Sequence, residues 1–152
     1  MAGPIVIPGD CEVVTKGHTA KIYLVSDDVV IKVNNLLPSY RFEREFGIQK
    51  ELYSAGYPVA HPYNFYPIVD EQNNEIDIKE GISMERIYGT DLEEMVGNVQ
   101  DLMEEAASIF KDINKKLGLG IRSWYGLSER NVMFDERRNR VVLIDFGHWH
   151  SL

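Results

Sequence analysis

The spacing of apolar residues changes along the chain, and each change predicts an element. "KIYLV" (21–25) and "VVIKV" (29–33) are short β-branched runs separated by "SDD", a turn signal, and they predict a hairpin. "EVVTKGHTA" before them supplies a preceding strand with a turn at Gly17. In "SYRFEREFGIQKELYSAG", Phe42, Phe46 and Leu52 give one apolar face. Ser39 suits an N-cap and Gly56 a stop, so a helix is expected, weakened at Gly47. "YPVAHPYNFYP" carries three prolines and reads as a loop or an edge strand. "EIDIKEGISMERI" alternates as two strands about a turn near Glu80-Gly81. The longest helical pattern lies in "TDLEEMVGNVQDLMEEAASIFKDINKKLGLG". There Leu102, Ala106, Ile109, Ile113 and Leu117 share a stripe, Lys115 and Lys116 suit the C-terminus, and Gly118 suits the cap. Asn98 and Gly97 are expected to break its first turns. "NVMFD", "ERRN" and "RVVLID" then predict a closing hairpin. The order is that of an α+β chain with an antiparallel sheet first.

Composition narrows the class. A chain of 152 residues and 17.4 kDa is expected to form one domain, divided into two small lobes at 1–86 and 87–152. Hydrophobic residues make up 44%, enough for a packed core. A net charge of -8 argues against a nucleic-acid or anionic-membrane binder, which needs a basic face. The lone Cys11 cannot form an internal disulfide and fits a reducing compartment. The opening "MAGPIVIPGD" lacks the pattern of a signal peptide, and no run approaches the roughly 20 apolar residues that span a bilayer. A cytoplasmic protein is the expectation.

Candidate chemistry lies in the order of several short motifs. "TKGHTAKIY" places Gly17 in a strand-to-strand turn. "VVIK" ends an apolar strand on Lys32. "RFEREF" sets Glu45 on the following helix, with Glu43 and Glu51 as alternatives. "ISMERIYGTDL" follows, then "WYGLSERN", then "LIDFG". In this order they resemble the protein-kinase-like superfamily over nearly the whole chain. The loop is similar to the "D-L-S-E-x-N" form of RIO-type atypical kinases, and the small kinase of the KEOPS complex is another relative in kind.

The resemblance implies ATP and Mg²⁺ as cofactors. Lys32 would hold the α- and β-phosphates and pair with Glu45. Met84 would gate the adenine pocket, Glu85 and Ile87 would meet the adenine edge through their backbones, and Asp91 would meet the ribose. Asn131 and Asp145 would hold the metal. Asp91 could equally cap the next helix.

Four departures follow from the same resemblance. Gly126 stands where the catalytic aspartate would be, and losing such a base typically costs about 10²- to 10⁴-fold in rate. Trp124 stands in place of the usual histidine. Thr15 and Ala20 occupy two positions that are usually glycine. The chain also ends at Leu152, soon after Gly147, without an activation segment. The expectation is therefore a pseudokinase that binds ATP–Mg²⁺ and transfers phosphate weakly or not at all. One alternative is an active atypical kinase, for a serine/threonine or a small-molecule acceptor, using Glu129 or Asp145 as surrogate base. Another is a non-enzymatic kinase mimic whose truncated C-lobe pairs with a protein partner or a second copy. "HWH" (148–150) offers two histidines at i, i+2 without a third ligand and does not make a zinc site.

Overall fold

The computed structural model describes residues 5–7, 10–16, 20–34, 42–70, 78–121 and 126–152. Gly17, Ser39 and Trp124 lie outside these. The chain divides into two compact units. One comprises Met1–Gly47 and His61–Arg86, the other Ile48–Ala60 and Ile87–Leu152.

The first unit is built on a six-stranded sheet. Its strands are β1 (Ile5–Ile7), β2 (Glu12–Lys16), β3 (Ala20–Leu24), β4 (Val29–Asn34), β5 (Pro62–Asp70) and β6 (Ile78–Glu85), in spatial order β1-β5-β6-β4-β3-β2. All neighbours are antiparallel except β1 on β5. The hairpin of β3 and β4 forms where the β-branched runs placed it, and Ser26 Oγ accepts the N–H groups of Asp28 and Val29 in its turn. Alternation then divides β4. Ile31 and Val33 pack with Tyr23 and Cys11, while Lys32 lies opposite Ile82.

One sequence expectation is corrected here and one is refined. No turn breaks the chain at Glu80-Gly81: β6 runs unbroken because β4 and β5 pair it on both sides. The proline-rich stretch is a loop over 57–61 and then the first part of the nine-residue β5. Among the described residues β1 pairs only Ile68–Asp70, so Pro62 and Pro67 lie where β5 has a neighbour on one side alone, as an edge strand does. A missing N–H is tolerated there.

Helix α1 (Phe42–Ser54) contributes to both units. Gly47 does not interrupt it. Phe42 and Glu45 are buried in the first unit, and Phe46 stacks on Phe65 with centroids 6.1 Å apart. Ile48 and Leu52 enter the core of the second. Past the end of the helix the chain turns at Gly56, φ +86°, with Tyr57 N–H donating back to Leu52 O.

The second unit packs helix α2 (Gln100–Leu117) against two small sheets. One is β7 (Gly89–Asp91), β9 (Val132–Asp135) and β10 (Arg140–Leu143), in order β10-β9-β7. The other pairs β8 (Leu119–Ile121) with β11 (Trp149–Ser151). α2 starts later than its apolar pattern suggested, after Asn98, as the Gly97-Asn98 breakers require. Ala106 and Ile113 of the expected stripe are fully buried, and Gly118 caps the helix at φ +63°. Leu92, Val132, Val141, Leu143, Phe146 and Trp149 complete the core. Trp149 meets Phe110 and Phe146 edge to face, at 5.2 and 5.5 Å between centroids. Of "HWH", His148 thus lies in a turn, and Trp149 and His150 open strand β11 with the tryptophan in the core.

Among the described residues no helix is long and apolar enough to cross a membrane.

Candidate functional site

In the first unit the sheet and helix bring Lys32 and Glu45 together. Lys32 Nζ donates to Glu45 Oε1 and sits 5.8 Å from the Phe42 ring centroid. The pair is buried: side-chain exposure is 12% for Lys32 and 3% for Glu45. The phase of α1 makes this choice. Glu45 shares the inward face with Phe42, whereas Glu43 and Glu51 are exposed.

Sequence reasoning missed Glu80 on the same sheet face. Its alternation matches Ile82, the residue opposite Lys32. Among the described residues its buried Oε2 has no hydrogen-bond partner, and burial, then the nearby Glu43, push its carboxyl up from the usual range. Periodicity alone could have found it, but it was read as part of a turn.

Met84 and Glu85 end β6. Met84 lies opposite Val30, and Glu85 N–H donates to His61 O at 2.9 Å. Ile87 opens the second unit and is half-buried. Asp91 lies in β7 opposite Met133, and its carbonyl accepts the N–H groups of Glu94 and Met95.

The second unit holds the loop and strand end on which the resemblance rested. Val132 pairs with Leu143 at the end of the β9–β10 hairpin, and Ile144 N–H donates to Asn131 O at 2.8 Å. That bond extends the hairpin pairing by one step, from Val132–Leu143 to Asn131 and Ile144, the residue before Asp145. Leu143 before Asp145 is fixed by an N–H bond to Pro58 O, and Phe146 after it is buried against Trp149. Between these anchors Asp145 is exposed and adopts φ +65°. A non-glycine residue in the left-handed region is strained by about 1 kcal/mol or more, and such strain gathers at functional sites. Gly126 adopts φ +56°, and a Cβ there would meet none of the described residues within 4 Å. The loop then turns through Glu129–Asn131 as one 3₁₀ turn, with Asn131 Oδ1 accepting from Ser128 N and Oγ.

The far end of the same hairpin is held by Asp135, 1% exposed. Its Oδ1 accepts the N–H groups of Arg137 and Arg138, and its Oδ2 accepts from Arg138 Nη1 at 3.0 Å. Asn139 completes the turn at φ 52°. Burial pushes the Asp135 carboxyl up, but the Arg138 side chain and the two backbone N–H groups outweigh it and hold it below its ordinary 3.8. A depressed folded pKa contributes stability that is complete above the unfolded value and lost as pH falls through the folded one. Urea midpoints should therefore fall between pH 5 and pH 2 in the natural chain, and fall less in Asp135→Asn. Equal acid sensitivity of the two would remove Asp135 from this role. At pH 7 the substitution should cost about 1–3 kcal/mol.

No family model matches the sequence, and a search of curated proteins finds no match. Solved structures do match. The Rio2 kinase of Chaetomium thermophilum, in a complex described as ADP/Mg²⁺-phosphoaspartate, aligns over 92% of this chain and 48% of its own, with TM-score 0.64 and 16% identity. The WbdD structure at 2.2 Å aligns over 93% of this chain and 33% of its own, with TM-score 0.63 and 16% identity. A second WbdD structure, described as a bifunctional kinase-methyltransferase, aligns over 88% and 30% with TM-score 0.59 and 16% identity. The chain thus spans between a third and a half of the better-aligned solved chains. At such identity the likeness speaks for the fold, and the fold of this chain is that of the protein-kinase-like proteins.

Proposed function

We propose that this protein binds a nucleoside triphosphate as its magnesium complex and transfers phosphate weakly or not at all. The observation that carries the reading is Asp145, held exposed at φ +65° just past the end of the hairpin whose other strand begins after Asn131, with the Ile144 N–H donating to Asn131 O. Magnesium prefers oxygen ligands, and usually takes one or two from protein and the rest from phosphate and water. Asp145 and Asn131 offer that number. Among the described residues no three His, Cys, Asp or Glu side chains converge to cage a metal by themselves. Bound magnesium would neutralise phosphate charge. In the first unit Lys32, steadied by Glu45, would offer phosphate a fixed cation. Gly126 supplies no side chain to take a proton from an acceptor, which leaves binding intact and transfer weak.

The test is a thermal-shift titration with ATP and Mg²⁺. Saturation at about 100 times Kd should add roughly 2.7 kcal/mol to stability, and Asp145→Ala should abolish the shift. A chain with no shift at millimolar ATP–Mg²⁺ would leave the kinase-mimic reading, in which the fold acts through protein contact alone. Phosphate transfer by the natural chain would favour the surrogate-base reading, with Glu129 or Asp145 as the group to replace.

A further inference from the structure

The oxygen that Asn131 would offer to magnesium is already engaged. Asn131 Oδ1 accepts the backbone N–H of Ser128 at 3.1 Å and the Ser128 hydroxyl at 2.9 Å. Turning the carboxamide over would set its NH₂ against the Ser128 N–H, donor facing donor, so the backbone fixes which atom faces inward. A carboxamide oxygen has two lone pairs, and both are used inside the loop. The turn is closed from the other side as well, because Asn131 N–H donates to Ser128 O at 3.0 Å.

We propose that Ser128 sets the magnesium requirement of this protein. Its hydroxyl competes with the ion for Asn131 Oδ1, so Asp145 is the first protein ligand and Asn131 joins only when the hydroxyl swings away. The inference rests on the nucleotide reading above. It makes Ser128 a positioning residue that acts through Asn131. The two bonds from Ser128 differ in what it takes to break them. The N–H is part of the chain and stays. The hydroxyl turns about a single χ1 bond, so one lone pair can be released without moving the loop. A hydrogen bond of this kind is worth about 2- to 10-fold in an equilibrium.

The experiment is calorimetric titration of ATP at a series of Mg²⁺ concentrations. In Ser128→Ala the Mg²⁺ concentration for half-maximal ATP binding should fall by about 2- to 10-fold. Ser128→Thr, which keeps the hydroxyl, should retain the natural requirement. Asn131→Ala should raise the requirement, and adding Ser128→Ala to it should change nothing further, since the competed oxygen is gone. Without metal, Ser128→Ala should melt lower than the natural chain, because the natural chain then keeps the hydroxyl's bond and the variant lacks it. An unchanged or higher Mg²⁺ requirement in Ser128→Ala, with Asn131→Ala still impaired, would overturn the proposal: the hydroxyl would then be presenting the oxygen rather than withholding it. An unchanged metal-free melting point would overturn it too. Failure of the nucleotide reading looks different, because the natural chain would bind no ATP at any Mg²⁺ concentration.

Discussion

Glu45→Ala should lower stability by about 3–5 kcal/mol, a melting shift of roughly 6–20 °C in a chain of this length. The reason is the burial of the Lys32–Glu45 pair. Glu45 is 3% exposed and Lys32 12% exposed, so neither charge is well solvated in the fold. Removing the carboxylate leaves the ammonium in the same low-dielectric setting between Phe42 and the sheet. It also leaves a void where the Glu45 stem was packed. An exposed pair would behave differently, since its loss rarely exceeds about 1 kcal/mol. A measured loss below that value would mean that water reaches the pair and that the burial argument fails.

The double variant Lys32→Met, Glu45→Leu gives the second half of this experiment. Apolar side chains of similar size need no desolvation, so the double variant should regain most of the lost stability and match or exceed the natural chain. It should bind no ATP–Mg²⁺ if the cation serves phosphate. Stability regained with binding lost would assign the pair to function. A double variant as unstable as the single one would assign it to folding. The pair is hard to explain as a stabiliser, because a buried ion pair is seldom better than its apolar replacement.

The resemblance implied this pair, and helical phase agrees with it among the acidic residues of "RFEREF". Only Glu45 shares the inward face with Phe42. The hairpin of β3 and β4 and the stripe of α2 were readable because each is long enough for its period to repeat. Strands β8 and β11 have three residues each, too few to show alternation, so Trp149 was passed over between two histidines. β6 was misread because Glu80-Gly81 is a local turn signal, and two flanking strands overrule local preference. Gly126 shows the deeper limit. In the sequence it is an absent carboxylate. In the fold it is also a backbone choice, φ +56°, which an L side chain adopts only under strain. Gly126→Asp therefore has open space among the described residues for its carboxylate but must hold a left-handed conformation to use it. No pattern of residue types contains that condition.

Gly89→Ala should be among the most damaging single-methyl changes in the second unit, while Gly47→Ala should be harmless or better. The Cβ of an alanine at 89 would lie 1.8 Å from Phe134 O and 2.8 Å from Phe134 C. Both atoms are backbone of β9, so no side-chain rotation relieves the overlap. The strands would have to part by more than 1 Å, which opens the pairing of Gly89 with Asp135, Thr90 with Phe134 and Asp91 with Met133. The neighbouring bonds of Glu136 N–H to Tyr88 O and Leu92 N–H to Val132 O lie on the same line, and Leu92 is a core residue at 1% exposure. Overpacking typically costs about 1–3 kcal/mol. With strand pairing lost as well, about 3 kcal/mol or more is expected, a fall of at least roughly 6 °C in melting temperature. Gly47 has nothing within 4 Å of its would-be Cβ and lies inside α1. Alanine there gains about 0.5–1 kcal/mol of helix preference. Thermal melts of the two variants beside the natural chain decide the matter. Opposite signs would support both placements. A Gly89→Ala chain as stable as the natural one would mean that β7 does not lie against β9, and Asp91 would then lose the strand that presents it.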